Sequence, residues 1–169
     1  MAVTIDLSGR RALVCGASSG LGRAIATALA DAGAELFVLA RSADRLDALC
    51  GELEDRGAPK ATPIAVDMDD LVEFAEAVRE KVVEAGGVHV CVHNTGGPKA
   101  GPLLEMSAED LVHVFGRHQV TAHFLVQALL PFMQSEGYGR FVNVLSTSAR
   151  EPIENLGLSN VVRAGLVGW

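Results

Sequence analysis

The sequence predicts an α/β fold, a doubly wound parallel sheet forming a single domain over residues 1–169, on three observations. Short, continuously apolar runs alternate with stretches of helical periodicity, the signature of βαβ units whose strands are covered on both faces. A glycine-rich turn, VCGASSGLG, joins the first apolar run to the first helical stretch. The apolar fraction of 49% supplies enough core for a sheet buried on both sides.

The elements follow in order. Strands are expected at RALVC (11–15), ELFVLA (35–40), ATPIAV (61–66), VHVCV (88–92) and RFVNVLS (140–146). Helical patterns lie between them at 21–32, 43–56, 70–85 and 108–134. Ser107 followed three residues on by Asp110 reads as the cap of the 108–134 helix. Gly57-Ala58-Pro59, Gly86-Gly87 and Gly137 punctuate helix ends. Right-handed crossovers then give a five-stranded sheet in the order 3-2-1-4-5. A last helix opens at Leu158, with Leu158, Val161, Val162, Gly165, Leu166 and Trp169 spaced along one face. Ser159 and Arg163, four residues apart, share another face.

Composition narrows the function classes. A net charge of −7 argues against a nucleic-acid surface, which needs a basic stripe. No run reaches the ~18 uninterrupted apolar residues of a membrane span, and MAVTIDLSGR has no signal-peptide core, so a cytoplasmic protein is expected. Cys15, Cys50 and Cys91 are far apart with no C-x-x-C pair and read as buried free thiols. His113, His118 and His123 are each turned about 140° from the last on a helix, and His89 and His93 lie roughly 13 Å apart along a strand. No metal site is expected.

The glycine turn carries the first functional reading. Gly16, Gly20 and Gly22, with Ser18, Ser19 and Leu21, stand where a turn opens into a helix. Backbone N–H groups there approach a pyrophosphate, and the helix N-terminus adds positive potential. Tight packing alone also explains glycines in such a turn, but the strand before and the helix after select the phosphate reading. The second strand ends in LARSADRL, with Arg41 where an NAD-binding chain places an acid for the ribose 2′-OH. A guanidinium suits a 2′-phosphate instead, which favours NADP(H). The domain is thus a Rossmann-like NAD(P)-binding domain.

With these segments the chain resembles the short-chain dehydrogenase/reductase family over essentially its whole length. CGASSGLG is similar to the family's glycine motif, with Cys15 where threonine is usual. AVDMDD (65–70) resembles the adenine-contacting segment, which implies Asp67 and the Met68 backbone for that task. HNTGG (93–97) resembles the N-N-A-G motif and implies Asn94, Thr95 and Gly96 beside the cofactor. VNVLSTSA matches the strand that ends in the catalytic serine, here Ser146. The resemblance also implies a tyrosine thirteen residues further on, a lysine four after that, and an asparagine in the fourth long helix. Those positions hold Ser159, Arg163 and His118.

The family reaction moves a hydride between nicotinamide and a carbonyl or alcohol, and the protein supplies the proton. A phenol with a pKa near 10 can be lowered toward neutrality by a neighbouring cation; a serine hydroxyl cannot, and arginine stays protonated. Tyr138 offers no substitute: eight residues of extended chain put it roughly 26 Å from Ser146, at the wrong edge of the sheet. His118, as an imidazole, is the more suitable stand-in, although a structural hydrogen bond also accounts for a helix histidine. Two readings follow. One is an NADP(H)-dependent oxidoreductase, 3-oxoacyl-reductase-like, with a relay rebuilt on Ser146, Ser159, Arg163 and His118. The other is a nucleotide-binding protein without turnover, a sensor or assembly partner. The last helix shows no stop signal before Trp169. The family continues with further strands and a substrate lid, so a C-terminally truncated and by itself inactive chain is expected. Family pairing of the 108–134 helix and the 158 helix implies a homo-oligomer, a dimer.

Overall fold

The computed structural model describes residues 5–169; residues 1–4 of the N-terminal stretch read above for a leader lie outside the described residues. Five strands, β1 (Arg11–Cys15), β2 (Glu35–Ala40), β3 (Ala61–Ala65), β4 (Val90–His93) and β5 (Arg140–Asn143), form one parallel sheet in the order β3-β2-β1-β4-β5. Leu13 of β1 stands opposite Phe37 on one side and Cys91 on the other. The expected topology is the observed one.

Alternation along β1 builds two cores. Ala12 and Val14 face α1 (Gly20–Asp31) and α2 (Ala43–Asp55), packing among Ala26, Ala30, Leu46, Leu49 and Leu53. Leu13 and Cys15 face the other way, onto Phe74 and Val78 of α3 (Leu71–Val78) and Leu125 and Leu129 of α5 (Thr121–Ser135). Each fully buried Leu or Phe contributes about 1.5–3 kcal/mol by leaving water. Cys15 and Cys91 are buried and free, and burial pushes the Cys15 thiol up to about 12. That excludes it as a nucleophile at neutral pH.

Two helices depart from expectation. The 70–85 pattern is α3 followed by a π-helical turn at Arg79–Val83. The 108–134 pattern is α4 (Ala108–Phe115), a π-helical turn at Gly116–Val120, and α5. Ser107 and Asp110 cap α4 reciprocally, as expected. An extra residue in a turn advances the helix phase by about 100°. Gly116, His118 and Gln119 are therefore all buried, as are Thr121 and Ala122.

The last helix, α6 (Gly157–Gly168), buries a narrower stripe than its spacing predicts. Leu158, Val162 and Leu166 are inside, but Val161 and Trp169 are 40% and 47% exposed. Arg163, expected with Ser159 on a face other than the apolar one, is buried as well. β5 is shorter than the apolar run suggests, and it lies at a sheet edge with Val142 exposed. Among the described residues no helix is long and apolar enough to cross a membrane.

Candidate functional site

Where β1 and β4 leave the centre of the sheet, their crossovers diverge to opposite faces and open a crevice at the carboxyl edge. A cleft of about 320 Å³ occupies it, lined by the loop after β1 (Gly16, Ser18, Ser19), the tip of β2 (Arg41), the residues after β3 (Asp67, Met68) and those after β4 (Asn94, Thr95, Gly96). Gly20, Leu21 and Gly22 form the first turn of α1 beside it.

The glycines are fixed by close approach. A Cβ on Gly22 would sit 2.0 Å from the Gly16 oxygen, and one on Gly16 would sit 2.7 Å from the Asn94 oxygen. Gly20, at φ +54°, meets nothing within 4 Å. The turn thus packs tightly on the protein side and is open on the cleft side. The first turn of α1 carries no acidic residue, so its positive end is left for an anion. These features fit the phosphates of a dinucleotide.

Two ion pairs edge the cleft. Arg41, largely exposed, has Nη1 3.8 Å from Asp67 Oδ2, a loose contact that leaves the guanidinium free to take another anion. Arg117 pairs through two nitrogens with both oxygens of Asp69, and His113 Nε2 lies 3.4 Å from Asp69 Oδ1. Burial raises the Asp69 carboxyl, but the Arg117 bonds and charge outweigh it and hold the group below the usual carboxylate range. Ser42, Arg45, Asp69 and Arg117 all line the cleft and were not singled out in the sequence. The available signals were Arg45 four residues past Arg41, and Arg117 immediately before His118.

The altered positions lie beyond Thr95. His118 is fully buried, with Nδ1 2.7 Å from Thr95 Oγ1 and Nε2 without a partner. Burial, reinforced by the Arg163 charge, pushes it down to about 3, so it is neutral at working pH. Of the two sequence readings of His118, a stand-in acid or a helix histidine with a structural hydrogen bond, the sealed ring bonded to Thr95 favours the second. Arg163 Nη1 donates to the Val144 oxygen at 2.5 Å and Nη2 to the Thr95 oxygen at 3.5 Å. It therefore bridges the chain just past the ends of β4 and β5. Gln119 Nε2 donates to the Val162 oxygen at 2.8 Å and ties α6 to the π turn.

Ser146 and Ser159 are joined through a third serine. Ser146 Oγ accepts from the Ser148 N–H at 3.2 Å, capping a short 3₁₀ turn (Thr147–Ala149). Ser148 Oγ lies 3.5 Å from Ser159 Oγ. Ser148 is itself buried and was missed in the sequence, where it reads only as turn polarity. His93, the first residue of HNTGG, spans β4, β5 and α5: Nδ1 is 3.1 Å from Asn143 Oδ1 and Nε2 2.9 Å from Thr121 Oγ1. Tyr138 packs at the amino edge between the Arg10 and Arg140 guanidinia, far from the crevice.

A parallel sheet with a glycine turn and crevice of this kind defines a dinucleotide-binding α/β protein. The sequence pattern of the short chain dehydrogenase family matches residues 10–158, and the chain belongs to that family. It is 31% identical over 164 residues to an uncharacterised oxidoreductase of Mycobacterium tuberculosis, covering 96% of this chain and 62% of the relative. It is 32% identical to the 3-oxoacyl-[acyl-carrier-protein] reductase of Vibrio cholerae, covering 98% and 66%. Among solved structures it superposes on the L-sorbose reductase of Gluconobacter frateurii, complexed with NADPH and L-sorbose, with a TM-score of 0.89 at 28% identity, covering 98% and 63%. A metagenomic short-chain oxidoreductase in complex with NADP gives a TM-score of 0.87 at 29% identity, covering 96% and 72%. The chain spans about three fifths of the length of the curated relatives it matches.

Proposed function

We propose that this protein is an NADP(H)-dependent short-chain oxidoreductase, 3-oxoacyl-reductase-like, that interconverts a small-molecule carbonyl compound and its alcohol in the cytoplasm through an altered proton relay. The observation that carries the reading is the crevice, with the α1 N-terminus at one side and Arg41 at the tip of β2. The NADP and NADPH complexes of structural neighbours support it. When bound, the nicotinamide supplies or accepts a hydride.

The chain's own residues then have these tasks. Backbone N–H groups from Gly16 to Gly22 hold the pyrophosphate. Arg41 takes the 2′-phosphate, Asp67 and the Met68 backbone the adenine, and Asn94, Thr95 and Gly96 the nicotinamide side. The hydroxyls of Ser146, Ser148 and Ser159 hold the substrate oxygen, and the buried Arg163 charge stabilises negative charge developing there. His118 is neutral and sealed, so its part is positional. The proton reaches the oxygen from solvent by way of the serine hydroxyls.

The sealed His118 and the carbonyl-bound Arg163 also favour a second reading, a nucleotide-binding sensor or assembly partner without turnover. One experiment separates the two: titrate NADPH fluorimetrically, then follow its consumption against a panel of carbonyl compounds. Oxidoreductase function requires binding and consumption, and Ser159→Tyr with Arg163→Lys raises the rate if only the relay is weak. Binding without consumption, and no gain in the restored variant, selects the second reading.

A further inference from the structure

We infer that Thr95 donates a hydrogen bond to an acceptor oxygen of the bound dinucleotide, and that His118 in its Nδ1–H form sets it up as a donor. The inference rests on the nucleotide reading above and adds to it one side-chain contact with a positioning residue behind it.

The argument begins with an unequal ring. His118 Nδ1 is 2.7 Å from Thr95 Oγ1, while Nε2 is sealed from solvent with no partner. A neutral imidazole carries one proton, and burial keeps this one neutral. If the proton were on Nε2, an N–H would be buried without an acceptor, a rare and costly arrangement of about 1–3 kcal/mol. If it is on Nδ1, the sealed atom is a bare lone pair. The Arg163 and Arg117 charges that disfavour a proton on this ring favour a lone pair there. The Nδ1–H form is therefore the stable one, and Nδ1 donates to Thr95 Oγ1.

That assignment has a consequence at the cleft. With Oγ1 acting as acceptor toward His118, the threonine proton is free to turn elsewhere. Thr95 is only 8% exposed and is among the residues that line the nucleotide cleft. Its backbone oxygen is held separately by Arg163. Backbone and side chain are thus both restrained, and the proposal turns the free O–H toward the cleft that the residue lines. A phosphate, ribose or carboxamide oxygen in the cleft satisfies it.

The test has two arms. In the first, ¹⁵N shifts and proton couplings of the labelled protein report the His118 tautomer. Nδ1–H is expected, and Nε2–H overturns the inference whatever any variant does. In the second, NADPH affinity is measured for wild type, Thr95→Ser and Thr95→Val. Thr95→Ser keeps the hydroxyl and is expected within about twofold of wild type, whereas Thr95→Val weakens binding about tenfold, as for a lost bond to a charged or strongly polar group. Far-UV circular dichroism checks that Thr95→Val is folded. Equal affinity of Thr95→Val and wild type overturns the proposed contact. Failure of wild type to bind NADPH overturns the nucleotide reading itself, and the contact with it, a result distinct from wild-type binding with an indifferent Thr95.

Discussion

At the scale of single residues, the sequence was most informative where chemistry depends on the end of a strand. Arg41 follows β2 directly, and an arginine at that point carries its meaning in its residue type. Arg41→Ala is expected to weaken NADPH about tenfold while leaving NADH nearly unchanged, measured by titrating each cofactor. Equal losses would show that Arg41 does not read the 2′-phosphate. The glycines were legible for the same reason, since no other residue fits Gly22 against the Gly16 oxygen. Asp69 and Arg117 were not legible, because they are distant in sequence and meet only when the π turn faces the loop after β3. The sequence left His118 between two readings for a related reason: its titration depends on burial and on Arg163, which no spacing reveals.

At the scale of elements, strands and helix starts were readable to within a few residues, but changes of phase inside helices were not. The capping box of α4 is encoded locally, and Ser107→Ala is expected to cost about 1 kcal/mol in urea unfolding. The π turn after it is not encoded locally. Its side chains make long-range contacts, Gln119 with α6 and His118 with Thr95, that no local pattern announces. His93 joins β4 to β5 and α5, and burial pushes it down to about 4. Both His93 and His118 have folded values depressed below the ordinary histidine value of about 6.5. The unfolded chain therefore binds more protons as pH falls through that value, and stability declines. The loss is expected from about pH 6.5 down through the folded values near 4 and 3. Denaturant midpoints measured across that window check it, and replacing His93 by Gln should flatten the upper part. A midpoint constant from pH 7 to 4 would contradict the buried neutral pair.

At the scale of the whole molecule, surface apolar residues gather on α4, the π turn and α6. Val112 is 72% exposed, Val167 62% and Phe115 49%, with Val120 and Trp169 nearby in exposure. Such a face suits pairing with a second copy of the chain. Light scattering at micromolar concentration is expected to give a dimer, and Val112→Glu with Phe115→Glu a monomer; a wild-type monomer would count against it. The two outer strands of the sheet differ in a way that bears on handling the protein. β3 carries Pro63, which has no N–H to offer a neighbour. β5 carries Val142 exposed, and among the described residues its outer side is unpaired. A strand in that state is a template for any extended peptide of suitable pattern. Edge-to-edge association of the described residues would therefore stop at a pair joined through β5, because each copy offers β5 and refuses β3.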